Sequence, residues 1–117
     1  MTRIGTGLLA FACLALAGNV FGADEATVQK GEKVYTYWCA TCHGEGALPG
    51  TMALQAKYKG AKPALLSERT DLIPAVTKTF VRHGVSIMPF FRKTEISDAD
   101  LDALAAYIAR NNKTPGH

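Results

Sequence analysis

Residues 39–43 read Cys-Ala-Thr-Cys-His, and no other feature limits so narrowly what the chain can fold around. On a helix, positions 39, 42 and 43 stand at i, i+3 and i+4, so both sulfurs and the imidazole share one face. Two thiols placed in this way can add to the two vinyl groups of a haem while His43 reaches the iron, and C-x-x-C-H is the sequence form of that attachment. Two rival uses need a context the chain lacks. A dithiol redox pair belongs to a βαβ pattern and a structural zinc takes four ligands. Beyond residue 22 the chain offers only Cys39, Cys42, His43, His83 and His117. Cys39 and Cys42 are therefore expected to carry one covalent haem c by thioether bonds, with His43 as an iron ligand.

The first residues predict the compartment. Arg3 gives a positive start, Leu8 to Ala17 forms an apolar core too short to span a bilayer, and Val20 and Gly22 occupy the third and first positions before a cut. Residues 1–22 read as a cleaved signal peptide and 23–117 as the domain delivered to the periplasm, with no stable membrane insertion after cleavage. Cleavage after Ala23 would put bulky Phe21 at the third position. Cys13 lies within the apolar core, and Ala10-Phe11-Ala12 lacks the leucine that commonly precedes a lipidated cysteine.

A domain of about 95 residues is small enough for its polypeptide core to be marginal. A buried porphyrin would add apolar surface, and its bonds to the chain would tie distant segments together. Loss of Arg3 with the leader lowers the formal charge of +3 by one, and two propionates bring the total near neutrality. That balance argues against nucleic acid as a partner.

Periodicity finds helices and almost no strands. One starts at the cap Asp24 and runs through Val28, Gly31, Val34 and Tyr35 towards the motif. The last starts at the cap Ser97, with Asp98 and Asp100 in its first turn and an apolar face of Leu101, Leu104, Ala105 and Ile108. Gly31 in mid-helix costs about 1 kcal/mol relative to alanine, and close approach of an aromatic such as Tyr107 would explain it. Between them, Thr51 is expected to cap a short helix ending at Tyr58. Asp71 is expected to cap a helix from about Leu72 to His83, with Val76, Phe80 and Val81 facing the core and Gly84 past its end.

After Gly84 the loop Met88-Pro89-Phe90-Phe91 has no helical period. A thioether is soft and uncharged and raises a haem potential relative to a second imidazole, which suits iron that cycles without binding substrate. Met88 is the candidate sixth ligand: it lies well downstream of His43, a helix and a glycine precede it, and Pro89 stiffens its backbone. Core packing is the commoner role for a lone methionine. Met52 sits only nine residues after His43, on the segment expected to wrap the proximal side. His83, at a helix end beside Arg82, reads as a solvated surface histidine.

Gly31-Glu32-Lys33-Val34-Tyr35 ahead of Cys39-Ala40-Thr41-Cys42-His43, then Met88-Pro89 and a closing Leu104-Ala105-Ala106-Tyr107-Ile108 helix, resembles the class I cytochromes c over the whole mature domain. The resemblance implies an all-α fold of about four to five helices wrapped around one covalently bound haem, with His43 and Met88 axial and only a haem edge exposed. It also implies a proline carbonyl accepting from the ligating histidine, for which Pro49 and Pro63 are the two candidates. Phe80-Val81-Arg82-His83-Gly84-Val85-Ser86-Ile87-Met88-Pro89-Phe90-Phe91 further resembles the cytochrome subunits of flavin dehydrogenases acting on para-alkylphenols, the 4-cresol dehydrogenase and eugenol hydroxylase type. That narrower likeness implies a flavin enzyme as electron donor and the respiratory chain as destination.

The expected role is thus a periplasmic one-electron carrier with no catalytic residue of its own, either a dehydrogenase subunit or a free-standing cytochrome serving another donor and acceptor. A haem peroxidase or gas sensor would need an open sixth position and a distal acid, base or donor, and the distal loop is apolar. Tyr37 and Trp38 are expected to pack in the haem pocket. Phe90 and Phe91 fit the pocket or an apolar docking patch. Lys57, Lys59, Lys62, Arg82, Arg92 and Lys93 are expected near the haem rim and Glu95, Asp98, Asp100 and Asp102 around the start of the last helix. This would be a dipolar arrangement that orients a docking partner, unless these charges merely solvate exposed faces.

Overall fold

The computed structural model describes residues 23–112, so the leader and its cleavage point lie outside the described residues. Within them the architecture is all-α, as the periodicity predicts. Five α-helices follow in order: α1 (Glu25–Trp38), α2 (Ala40–His43), α3 (Pro49–Tyr58), α4 (Pro74–His83) and α5 (Asp98–Ala109), with a single 3-10 turn at Leu66–Glu68. The only bridge outside helices among the described residues pairs Val85 with Met88.

The two long terminal helices make the frame. Asp24 caps α1 by accepting from the Thr27 amide at 2.8 Å. Ser97 caps α5 by accepting from the Asp100 amide at 3.1 Å. Such caps satisfy amides that a helix start leaves without partners. Gly31 lets the helices cross closely: a Cβ there would fall 2.0 Å from the Ala103 carbonyl oxygen and 2.7 Å from the Tyr107 Cβ. Tyr107 then packs against Tyr35 with the rings tilted at 45° and their centres 5.4 Å apart. The core is Tyr35, Val81, Ile96, Leu101, Leu104, Tyr107 and Ile108, with Ile96 and Leu104 wholly sealed. Past α5, Arg110 and Asn111 both donate to the Ser67 carbonyl and Asn112 donates to that of Leu72, which fastens the intervening chain to the frame.

Three local expectations give way. Helix α3 begins at Pro49, and Thr51 is buried inside it with its hydroxyl donating to the Gly44 carbonyl at 2.7 Å instead of capping. Helix α4 begins at Pro74, because the residue before a proline is pushed out of the helical region and Ile73 is extended at φ −87°, ψ 151°. Asp71 is occupied elsewhere, by Arg69 and Lys62. On α4 the buried positions are Thr77 and Val81, whereas Phe80 is 43 % exposed.

Candidate haem site

Cys39 is the joint between α1 and α2, closing one helix and capping the next at φ −111°, ψ −36°. Its amide bonds the Tyr35 carbonyl at 2.8 Å and its carbonyl accepts from His43 at 2.8 Å. The helical ladder therefore runs through the break, and positions 39, 42 and 43 keep the one-face arrangement the spacing predicts. Both thiols are free; Cys39 packs against the core and Cys42 is exposed. Burial, followed by the nearby Cys42, pushes the Cys39 thiol up to about 12. A dithiol redox centre needs the opposite shift. Among the described residues no three His, Cys, Asp or Glu side chains converge as metal donors.

His43 is held from three sides. The buried Tyr35 hydroxyl donates to its carbonyl at 2.7 Å, Thr51 fixes the following Gly44 carbonyl, and Gly50 forms a floor under the ring. A Cβ at Gly50 would lie 2.7 Å from both Cε1 and Nδ1 of the imidazole. Burial lowers the His43 pKa, favouring the neutral imidazole that a metal requires. Its Nδ1 is sealed from solvent without a hydrogen-bond partner. Neither Pro49 nor Pro63 supplies the expected acceptor; Pro49 instead opens α3 and puts Gly50 against the ring.

The second half of the site is the loop after α4. Gly84 ends that helix at φ 70°, ψ 172°, and a Cβ there would meet the Met88 carbonyl oxygen at 2.7 Å. Val85 and Met88 exchange both backbone hydrogen bonds, at 3.1 and 2.9 Å, around Ser86 in a left-handed conformation at φ 53°. Phe91 returns to α4 by bonding the Val81 carbonyl at 2.8 Å. Its ring meets Trp38 edge-on at 5.8 Å. Met88, Phe91, Trp38 and Cys39 each pack against the buried core. Met52 stays outside it, 53 % exposed. The exposed His83 has Nδ1 2.9 Å from the Thr79 carbonyl oxygen of its own helix. Tyr37 is exposed and meets the Trp38 ring edge-on at 5.0 Å.

These features fit a haem. Two thiols and a neutral imidazole share one turn, and glycine clears the space behind the ring. The family model described as cytochrome c oxidase, cbb3-type, subunit III matches residues 26–108. The chain belongs to that family. Two similar proteins are the Cbb3-type cytochrome c oxidase subunits CcoP of Azospirillum brasilense, 33 % identical over 99 residues, and of Azospirillum sp. (strain B510), 34 % identical over 99 residues. Each alignment covers 80 % of this chain and 31 % of the relative, so the chain spans about a third of their length. The cbb3-type subunit III assignment makes the domain a cytochrome c electron-transfer module with haem c as its implied group. The relatives are oxidase subunits, and the narrower likeness to flavin dehydrogenase subunits is not shown.

Charge in this cbb3-type domain is arranged otherwise than the sequence suggests. Asp98 pairs with both Arg82 and Lys93, Asp100 with Lys30, Asp102 with Lys78 and Glu95 with Arg92. The expected acidic and basic poles therefore interleave and largely cancel. Positive charge persists at the end of α3, where Lys57, Lys62 and Arg69 surround the Tyr58 ring at 4.7 to 5.6 Å against the single carboxylate of Asp71. Arg69, 2 % exposed, went unremarked in the sequence because its loop carries no period to mark a buried residue.

Proposed function

We propose that this chain is a periplasmic one-electron carrier. In this reading residues 1–22 are removed on export, Cys39 and Cys42 would hold a single haem c through thioether bonds, and His43 and Met88 would be the side chains that ligate its iron. The observation that carries it is the turn 39–43, which presents two free thiols and a neutral imidazole together. When bound, the haem supplies a ferrous–ferric couple. The sealed Nδ1 leaves Nε2 of His43 for the metal, Tyr35 and Thr51 hold the backbone behind it, and Met88 offers a soft neutral donor from the loop. His83, the acid–base candidate nearest the loop, faces the Thr79 carbonyl, which favours a carrier over a peroxidase. No helix among the described residues is long and apolar enough to cross a membrane.

Mass spectrometry of the denatured exported protein tests the attachment. One haem added to residues 23–117 is expected; the bare polypeptide mass would overturn it. The likeness of residues 80–91 supports a more specific reading, in which a flavin dehydrogenase of para-alkylphenols is the donor and the respiratory chain receives the electrons. The relatives being oxidase subunits gives this donor no support. Stopped-flow mixing with such a reduced flavoenzyme decides it, rapid reduction being expected and reduction no faster than by free reduced flavin sinking that donor.

A further inference from the structure

We propose that Arg82 is a positioning residue which holds the distal loop closed and so keeps Met88 available to the iron; this rests on the reading of Met88 as axial ligand. The loop has little regular structure of its own. Its internal ties are the Val85–Met88 pair and the return of the Phe91 amide to Val81. Arg82, next to that return point, sends Nη1 to the Phe91 carbonyl at 3.0 Å and Nη2 to Asp98 Oδ1 at 2.9 Å. One guanidinium therefore joins the end of α4, the far end of the Met88 segment and the first turn of α5. A planar fork can satisfy two acceptors on different elements at once, whereas a lysine ammonium is a single point on a flexible stem.

An ordinary surface ion pair would contribute little, but this contact differs from one in two respects. The Arg82 side chain is only 18 % exposed, and one arm of its fork goes to a backbone carbonyl in place of a carboxylate. The neighbouring cations do not duplicate it. Lys93 binds the other Asp98 oxygen from a largely exposed position, and Arg92 is turned to Glu95. Opening the loop must break the Phe91 bond, and the left-handed Ser86 leaves the loop little to hold it closed by itself.

The holoprotein tests this with three variants and two readouts, carbon monoxide binding to the ferrous form and hydrogen exchange at the Met88 and Phe91 amides. Loss of a hydrogen bond from a charged group corresponds to about a tenfold shift in the opening equilibrium. Arg82→Ala is expected to keep its covalent haem, bind carbon monoxide about tenfold faster and exchange both amides about tenfold faster, with weaker near-infrared sulfur-to-iron absorption. Arg82→Lys should restore stability through Asp98 without restoring slow carbon monoxide binding. Asp98→Asn, which spares the Phe91 bond, should change that rate by less than about twofold. Wild-type rates in Arg82→Ala, even with a lowered melting temperature, would overturn the proposal. If that variant does not mature, unchanged binding and exchange in Arg82→Lys would do so. Absence of the near-infrared band from wild type would instead overturn the Met88 ligand reading, and exchange at Phe91 would still decide whether Arg82 holds the loop.

Discussion

The segment 35–51 and the loop 81–98 face the same core and are built on opposite plans. In the first, the helical ladder itself sets the spacing of Cys39, Cys42 and His43, and Tyr35, Thr51 and Gly50 only tighten what the register already defines. In the second, no register exists, and the place of Met88 depends on one turn, one glycine and one arginine. A ligand held by helical register is difficult to displace without unfolding its helix. A ligand held by a few loop contacts can leave while the rest of the fold stays intact, so the two halves should fail differently.

The strongest way to break this contrast is to put a side chain at each half's glycine. Gly50→Val would drive a Cβ into the His43 ring and is expected to cost about 3 kcal/mol, the upper end for overpacking, with poor haem incorporation measured by absorbance per polypeptide. Gly84→Val meets both a forbidden φ and the Met88 carbonyl. It is expected to cost about 2 kcal/mol while haem incorporation stays at the wild-type level. Equal haem loss in both variants would erase the distinction between the halves.

Met88→Ala sharpens it. Removing a partly buried methionine should lower stability by about 2 kcal/mol or less, yet it should abolish near-infrared sulfur-to-iron absorption, open the ferrous form to carbon monoxide and lower the potential. Met52→Ala, at an exposed site, should change none of these. An unchanged spectrum in Met88→Ala would show that the loop donates no ligand.

How much of this could be read from the sequence follows the same division. The motif, both helix caps, the Gly31–Tyr107 approach and the end of α4 at Gly84 are local or periodic signals, and each appears where expected. The starts of α3 and α4 lie elsewhere than their capping-type residues suggest: Pro74 does fall in the first turn of α4, but α3 opens at Pro49, Thr51 bonds the Gly44 carbonyl, and Asp71 is held by Arg69 and Lys62. The charge pattern misleads because Arg92 and Lys93 pair locally with Glu95 and Asp98, a few residues on, while Arg82 reaches Asp98 from another helix. The Arg82 fork and the Tyr35 bond to His43 span sixteen and eight residues with no period to announce them.

A smaller effect is expected at Tyr35. Tyr35→Phe deletes the donor to the His43 carbonyl and should cost about 1 kcal/mol, read as a shift in the denaturant midpoint, with the near-infrared band intact because the distal half is untouched. A lost band would mean that the halves are coupled.

The smallest effect is acid sensitivity of the distal half. Hydrogen bonds from Lys93 and then Arg82 hold the Asp98 carboxyl below its ordinary value, and the Arg92 amide does the same for Glu95. Depressed carboxylates stabilise the fold above their unfolded pKa, and that stability is lost as pH falls through the folded pKa. Loop protection measured by hydrogen exchange should therefore fall by less than about twofold and only below about pH 4, and salt should blunt it because both groups are exposed. A fall centred nearer pH 6 would point to a histidine instead.

The crossing at Gly31 has a consequence for the order of events during synthesis. The surface that covers this glycine is the backbone of Ala103 and the ring of Tyr107, more than seventy residues later in the chain. Until α5 has been made, the face of α1 at Gly31 lacks the surface that covers it. Loop closure over such a span is slow as well as late. The glycine face of the first helix therefore stays bare through most of translation, and the two terminal helices can meet only when the described fold is nearly complete.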